Sequence, residues 1–255
     1  MGNGTIEISR HDKATLIRLN RPEARNAISM ALMAELTEAV RSASASGVHS
    51  LVIAGNDKAF SSGRDLKEAS KTAGSEAVEA WGRLTEAMES APVPIIAAID
   101  GFCFTGGLEL ALACDIRIAG EGATFAITSA RLGSVPGFGA TQRLPRTIGV
   151  PRALDLLFSA EPIDAAEAYR IGLIHKKVGA GASVAAALAL AAVYAERAPL
   201  SLANLKKAVR QGMEADLASG LLLERQLGAE LTKTRDRQEG MAAFLEKRKP
   251  RFEGR

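Results

Sequence analysis

Two segments of this chain place a glycine-containing turn between a short aliphatic strand and a predicted helix. Residues 51–54 precede the turn at Ser62-Gly63-Arg64, and Ile95–Ile99 precedes Gly106-Gly107. A helix that begins at such a turn leaves its first backbone N–H groups without partners inside the helix, and such groups bind anions. Because there are two of these turns, each can direct one N–H at the same oxygen and form an oxyanion hole from the main chain.

Glu109 is the predicted general base beside these turns. It lies three residues after Gly106, one turn into the predicted helix, so its carboxylate is expected over the face that the turn presents. A Glu on a helix is usually solvated, but this one follows Gly-Gly-Leu and precedes the apolar residues 110–113. Desolvation at the edge of a buried pocket should raise its pKa toward a value useful for a base. Two donors and a base predict chemistry next to a carbonyl group.

Composition limits the classes of function. A chain of 255 residues with 47% hydrophobic residues is long enough for one sizeable domain, and with 4% aromatic residues its core must consist of aliphatic side chains. The net charge of +3 is modest, and the charges are interspersed. This argues against a dedicated nucleic-acid-binding or membrane-surface protein.

Cysteine usage and the lack of targeting signals predict a cytoplasmic protein. Cys103 and Cys114 are eleven residues apart in apolar surroundings without a CxxC motif, which favours free buried thiols in a reducing compartment. The apolar residues 183–194 are too few to span a bilayer, and the N-terminus lacks the apolar region of a signal peptide. The sequence also lacks the spacing of a metal site, a Walker A loop and a GxSxG nucleophile motif.

Hydrophobic periodicity predicts strands and helices in alternation, then mainly helices. The predicted strands are residues 5–10 and 14–19 (a hairpin), 51–54, 95–99, 116–119 and 124–127. The predicted helices are residues 29–42 with Ser29 as N-cap, 75–90, 106–113, 140–146, 150–159, 164–171, 184–197, 201–213, 217–231 and 237–247. Strands separated by helices predict right-handed crossovers and an α/β core. The change in pattern predicts a core over residues 1–198 and a helical region over residues 199–255.

Five phrases of the sequence occur in an order that resembles a known superfamily. They cover residues 20–27, 62–67, 106–109, 136–144 and 237–245. Together they resemble the enoyl-CoA hydratase/isomerase (crotonase) superfamily over residues 18–252, nearly the whole chain. The resemblance implies an α/β fold of the ClpP/crotonase type, a spiral of β-β-α units with a C-terminal helical trimerisation region. It also implies a homo-oligomer, either a trimer or a hexamer built as a dimer of trimers.

The resemblance assigns roles to individual positions of the site. It implies that the oxyanion donors are the backbone N–H groups of Arg64 and Gly106. Hydratases of the superfamily carry a second Glu at the position of Ser129, and no Asp or Glu occurs from Gly122 through Leu154. We therefore expect Glu109 to be the general base and Ser129 an auxiliary that orients water.

The resemblance also implies where coenzyme A binds. The turn of residues 62–67 would line the adenine and pantetheine channel, while basic and aromatic residues from both ends of the chain would contact phosphate and adenine. The CoA-binding candidates are Arg25, Ser62, Asp65, Leu66, Lys67, Lys249 and Phe252. A solvated basic terminus is an alternative interpretation of the last two. Coenzyme A would enter as part of the substrate, and no other cofactor is expected.

The reaction implied by the resemblance is hydration of a 2-enoyl-CoA. With Ser129 in place of the second Glu, four alternatives stay open. They are hydrolysis of a CoA thioester or β-ketoacyl-CoA, migration of a double bond, decarboxylation, and binding of a CoA ester without catalysis. The Arg64 side chain also has two interpretations: it favours a polar or acidic acyl group, or it is an exposed group paired with Asp65 or Glu68.

Overall fold

The computed structural model describes residues 4–71 and 74–255, and their strands form two sheets. One sheet has the strand order β1-β2-β3-β5-β7-β10, and the other has the order β4-β6-β8-β9. The strands are β1 (Ile6–His11), β2 (Ala14–Leu19), β3 (Ser50–Ala54), β4 (Ala59–Ser61), β5 (Ile95–Ile99), β6 (Phe102–Phe104), β7 (Ile116–Gly120), β8 (Thr124–Ala126), β9 (Ile163–Asp164) and β10 (Lys176–Val178).

Helices follow the strands and then dominate the C-terminal part. They are α1 (Met30–Ala45), α2 (Leu66–Ala69), α3 (Gly74–Ser90), α4 (Gly106–Ala113), α5 (Ala140–Ile148), α6 (Val150–Ser159), α7 (Ala165–Arg170), α8 (Ser183–Ala195), α9 (Pro199–Gly212), α10 (Leu217–Leu231) and α11 (Arg235–Leu245). Short 3-10 turns lie at Pro22–Ala24 and Ser129–Leu132.

The chain winds between the two sheets in repeated β-β-α units. Strands β3, β5 and β7 enter the larger sheet, and after each of them the next strand, β4, β6 or β8, enters the smaller sheet. The pairs β3–β5, β5–β7, β4–β6 and β6–β8 are parallel. Helices follow β4, β6 and, after a 3-10 turn, β8. This arrangement confirms the predicted α/β spiral of β-β-α units.

The core is mainly aliphatic, with the aromatic rings of Phe60, Phe125, Trp81 and Phe138 buried in it, and it is divided by the larger sheet. Every residue of β3 and β5 is buried, because both faces of these central strands are covered. On one face the strands pack with α1, α3 and α4, and on the other face Ala187 and Ala191 of α8 complete a smaller cluster. The Ala-rich composition of α8 allows this close approach to the sheet.

Most of the elements predicted from the sequence are present within a few residues of their predicted ends. The hairpin of β1 and β2 is confirmed, and the Ser29 side chain accepts a hydrogen bond from Leu32 N at 3.2 Å as an N-cap. The sequence reading missed β4, β6, β9 and β10, which have two or three residues each. Segments this short do not establish a hydrophobic period.

The C-terminal helices attach to the core through charged side chains. Lys206 Nζ of α9 lies 3.0 Å from Asp115 Oδ2 and also donates to the carbonyl oxygens of Met88 and Val93. Arg210 Nη2 donates to Asp115 Oδ1 at 2.7 Å. The helical region begins at Pro199 as the sequence predicts, while the division into two domains stays a prediction.

Within the described ranges no single helix has the length and apolar composition needed to cross a membrane. Helices α8 and α9 meet those criteria only when taken together, and the chain bends by 110° between them.

Candidate active site

The two glycine turns identified in the sequence pack directly against each other. Gly63 has a φ of +101°, and a Cβ on it would lie 3.0 Å from Phe104 O and 3.3 Å from Gly106 N. A Cβ on Gly106 would lie 3.2 Å from Arg64 N. Neither the Arg64 nor the Gly106 amide donates a hydrogen bond to another described residue. Two unpaired backbone donors therefore lie side by side, as an oxyanion hole requires.

The first turn is held by a short parallel bridge on either side of Arg64. Ile28 N donates to Gly63 O at 2.7 Å, and Asp65 N donates to Ile28 O at 2.9 Å. Because both flanking peptides are fixed in this way, the Arg64 amide has little freedom to reorient. Gly63 N also donates to Ser61 Oγ at 3.2 Å, so the peptides around the Arg64 donor are held by both main-chain and side-chain acceptors.

Asp65 is engaged in holding this turn. Its Oδ1 accepts from the N–H groups of Lys67 and Glu68 as the N-cap of α2, and its Oδ2 pairs with Arg21 at 2.9 Å. The hydrogen bond from Arg21 holds the pKa of Asp65 below its ordinary value. The pairing of Arg64 with Asp65, one of the two alternatives from the sequence, is therefore wrong.

The other CoA-binding candidates of this region form the outer edge of the turn. Ser62 N donates to Arg25 O at 3.0 Å, and the Arg25 guanidinium lies over the Phe102 ring at 6.0 Å from its centroid. Leu66 and Lys67 are exposed at the start of α2. The structure therefore brings Arg25 and residues 62–67 together on one accessible surface.

Glu109 lies in the first turn of α4 and is 1% exposed. Its Oε1 accepts hydrogen bonds from Phe138 N at 2.8 Å and from Ala140 N at 3.0 Å. Burial raises the pKa of Glu109, while the two N–H groups and the positive charge of Arg143 act in the opposite direction. The predicted rise in pKa is confirmed. Oε2 makes no hydrogen bond to a described residue, so one oxygen remains for a ligand or water.

Phe138, which presents its N–H to Glu109, is held on its other side by three contacts. Its ring stacks on Trp81 with 4.4 Å between centroids and 10° between planes, and its carbonyl accepts from Trp81 Nε1 at 2.7 Å. Arg143 Nη1 donates to the same carbonyl at 3.2 Å, and Arg143 Nη2 pairs with Glu89 at 2.6 Å. These residues fix the segment that orients the Glu109 carboxylate.

The sequence pattern did not predict this supporting group of Trp81, Phe138 and Arg143. Trp81 is the only tryptophan of the chain, and Phe138 lies within the phrase of residues 136–144 that carried part of the resemblance. Those two facts are the signals in the sequence that could have pointed to this group. Their contact joins positions 57 residues apart, which a periodicity argument does not reach.

Ser129 is 5% exposed and begins the 3-10 turn after β8. Its carbonyl oxygen accepts from the Ser134 N–H and hydroxyl, each at 3.1 Å, whereas its own hydroxyl makes no hydrogen bond to a described residue. The preceding residue, Thr128, is bonded to Thr105, which directly precedes Gly106. These hydrogen bonds connect the Ser129 turn to the turn at Gly106.

The two tail candidates make their contacts within the C-terminal part. Lys249 Nζ lies 3.4 Å from Glu196, with 89% of its side chain exposed. Phe252 packs beside Gly240, where an added Cβ would be 3.4 Å from the ring. Among the described residues, no hydrogen bond or ion pair joins either of them to the turn of residues 62–67.

Two sheets joined by β-β-α units, with paired glycine turns beside a buried glutamate, define a crotonase-type α/β protein. Solved structures agree with this class. The structure of an enoyl-CoA hydratase from Bacillus anthracis superimposes with a TM-score of 0.94 at 36% identity, covering 98% of this chain and 100% of that chain.

Sequence comparisons identify the family. The model of the family described as enoyl-CoA hydratase/isomerase matches residues 10–255. The chain is 39% identical to 2,3-dehydroadipyl-CoA hydratase of Escherichia coli K12 (97% of this chain, 98% of the relative). It is 41% identical to the mitochondrial enoyl-CoA hydratase domain-containing protein 2 of Mus musculus (94% and 84%). This chain belongs to the enoyl-CoA hydratase/isomerase family, and it is an enzyme of that family that acts on an acyl-CoA thioester.

Proposed function

We propose that the protein adds water across the double bond of a 2-enoyl-CoA. The observation that carries this proposal is the adjacency of two unpaired amides, Arg64 N–H and Gly106 N–H, on two turns that pack together, the second of which leads into the helix of Glu109. The thioester carbonyl oxygen accepts from both amides. Glu109 holds the reacting water through Oε2, because Oε1 already accepts two backbone hydrogen bonds.

One carboxylate completes the proposed reaction. Water attacks the β-carbon, its proton passes to Glu109, and the electron pair of the double bond moves onto the thioester oxygen as an enolate. The two amides stabilise that charge because two adjacent donors without other partners are available to the thioester oxygen. Glu109 then returns the proton to the α-carbon, so both atoms of water add and the base is regenerated. Ser129 orients the water, and no cofactor beyond the coenzyme A of the substrate takes part.

We extend the proposal to the CoA moiety and to assembly. Arg25, Ser62, Leu66 and Lys67 form an accessible surface beside the oxyanion amides and line the CoA channel, while Asp65 keeps that surface in shape. Lys249 and Phe252 reach the ligand of a neighbouring subunit in a trimer or in a hexamer of two trimers. The buried free thiols of Cys103 and Cys114 fit a reducing cytoplasm.

The acyl group is proposed to carry a free carboxylate in addition to its thioester carbonyl. Arg64 is half-buried, and its guanidinium forms no ion pair with a described residue. The Escherichia coli relative is named for a dehydroadipyl thioester, which has such a carboxylate. A cation attached to the same residue as an oxyanion amide suits an acyl chain that ends in an anion.

A panel of three thioesters tests the proposed reaction. We expect crotonyl-CoA to be hydrated to a hydroxyacyl-CoA, measured by loss of the conjugated-enoyl absorbance and by chromatography of the product. Turnover of a 3-enoyl-CoA or a cyclic β-ketoacyl-CoA instead would favour double-bond migration or hydrolysis. Tight binding of acetoacetyl-CoA in calorimetry with no turnover across the panel would favour a non-catalytic CoA-ester-binding protein.

A further inference from the structure

Thr105 has an unusual backbone conformation immediately before the second oxyanion amide. Its φ is 42° and its ψ is −107°. A β-branched residue at positive φ is a genuine outlier, and such conformations persist only where surrounding contacts hold them. The ψ angle of residue 105 sets the plane of the 105–106 peptide, and therefore the direction of the Gly106 N–H. The strained residue is the one that aims the donor.

Two contacts with the next strand and turn hold Thr105 in this conformation. Its backbone N–H donates to Ala126 O at 2.7 Å, which continues the parallel pairing of β6 with β8. Its Oγ1 lies 2.9 Å from Thr128 Oγ1 and accepts from Thr128 N at 3.1 Å. The hydroxyl of Thr105 thus makes two hydrogen bonds to one residue, and that residue directly precedes Ser129.

We infer that Thr105, held by Thr128, is a positioning residue that aims the Gly106 N–H at the thioester oxygen and keeps it in register with the Ser129 turn. This inference rests on the proposed function, because it gives the Gly106 amide the role of oxyanion donor. Thr105 acts through the peptide that it shares with Gly106, and its side chain does not contact the substrate. A glycine would adopt this backbone conformation readily, whereas Thr105 is held in it by the hydrogen bonds of its hydroxyl group.

Four single variants separate the contributions of the two hydroxyl groups. Thr105→Val keeps the shape and the β-branch but removes both side-chain hydrogen bonds. Thr128→Val removes only the contact between the hydroxyl groups, because the Thr128 N–H remains. Thr105→Ser keeps a hydroxyl. Thr124→Val is the matched control, because Thr124 Oγ1 lies buried on β8 and has no hydrogen-bond partner among the described residues.

The decisive measurement compares two ligands on purified, folded protein. Acetoacetyl-CoA has a thioester carbonyl and forms an enolate that is visible in the ultraviolet, whereas coenzyme A has neither. In Thr105→Val the Gly106 N–H is displaced but not lost. We therefore expect the affinity for acetoacetyl-CoA and the kcat for crotonyl-CoA each to fall by about tenfold to a hundredfold. The affinity and kcat should fall less in Thr128→Val, and Thr105→Ser should keep most of the wild-type affinity and kcat. The affinity for coenzyme A should stay the same in all four variants.

The possible outcomes decide the inference. Thr105→Val that is folded and retains wild-type acetoacetyl-CoA affinity, enolate absorbance and kcat would overturn it. Equal weakening of coenzyme A binding would also overturn it, since the residue would then support the site only in general. If Thr105→Val does not fold, Thr128→Val carries the same comparison, because Thr128 has an ordinary φ of −92°. Failure of the wild-type protein to bind acetoacetyl-CoA would instead refute the proposed function, and this inference with it.

Discussion

The carboxylate of Glu109 lies 2.8 Å from the backbone nitrogen of Phe138, a residue that stacks on Trp81 and accepts a hydrogen bond from Arg143. The candidate base is therefore oriented by main-chain donors, and side chains from α3 and α5 fix those donors. Two opposing effects act on its charge: burial raises the pKa of Glu109, and the N–H groups and Arg143 lower it.

Replacing Glu109 by Gln should reduce hydration of crotonyl-CoA by about 10²–10⁴-fold, the usual loss when a well-placed general base is removed. Gln keeps an oxygen that can accept the Phe138 and Ala140 N–H groups, so the segment should stay in place. Initial rates at saturating substrate give the measurement. Unchanged turnover would show that the chemistry lies on another residue.

The raised pKa of Glu109 predicts how activity and stability depend on pH. The base acts only when ionised, so activity should rise with pH through a value above the ordinary 4.5. The folded pKa lies above the unfolded pKa, so the stabilising contribution is present at low pH and is lost as pH rises through the folded value. Glu109→Gln has no carboxyl group to ionise, so it does not lose this stability as pH rises. At pH 7 its urea unfolding midpoint should equal or exceed that of the wild type, and a clearly lower midpoint would contradict this.

Replacing Arg143 by Met should move the acidic limb of the activity profile to higher pH. The positive charge of Arg143 lowers the pKa of Glu109, and its Nη1 holds the Phe138 carbonyl at 3.2 Å. The matched control is Arg146→Met on the same helix, because Arg146 bonds only to exposed Gln142 among the described residues. Equal pH profiles for the two variants would disprove the proposed influence of Arg143.

Local pattern was sufficient to predict the parts of the site that are continuous in sequence. The fully buried strands β3 and β5 precede the turns at Gly63 and Gly106, with the short strands β4 and β6 between them, and Glu109 follows its turn at helical spacing. These signals depend on neighbouring residues only. The fold class also followed from the alternation of such segments and from the resemblance.

Contacts between residues that lie far apart in the sequence could not be predicted from the hydrophobic pattern. The bonds from Trp81 to Phe138 and from Thr105 to Thr128 depend on how the units of the spiral pack, and no period along the chain encodes that packing. On α10, the spacing of Leu217, Leu221, Leu222 and Leu227 predicts an apolar face that an oligomer would bury. Leu227 is buried within the chain, whereas Leu217, Leu221 and Leu222 are exposed.

Those exposed leucines predict how assembly should respond to charge. If α10 contributes to a subunit interface, Leu222→Arg should lower the mass measured by light scattering at micromolar concentration, because an unpaired charge is costly to bury. Glu224→Arg introduces the same side chain at an exposed position two residues away and serves as the control. A monomeric wild-type protein under these conditions would refute the proposed trimer or hexamer.

The Arg64 side chain should set a preference among acyl groups. Arg64→Met retains the backbone N–H but removes the guanidinium, so the ratio of kcat/KM for a dehydroadipyl thioester over crotonyl-CoA should fall. A charge-assisted hydrogen bond contributes about 1.5–3 kcal/mol, which corresponds to roughly tenfold or more in that ratio. Lys67→Met, an exposed cation on the same turn, is the control. A ratio that stays at the wild-type value in Arg64→Met would exclude a contact with the acyl carboxylate.

Ser129 offers the sharpest test of how one carboxylate suffices for hydration. Its side chain is buried one residue beyond the Thr105–Thr128 contact, and its hydroxyl is not engaged by a described residue. If it orients water, Ser129→Ala should reduce kcat less than Glu109→Gln does, because it removes one hydrogen bond and no proton acceptor. Ser129→Glu supplies an acid at the position where the family resemblance implies a second Glu, and it should raise crotonyl-CoA hydration if proton return to the α-carbon limits the rate. A fall in rate with intact acetoacetyl-CoA binding would show that Glu109 alone handles the proton and that the buried turn does not accommodate a second carboxylate.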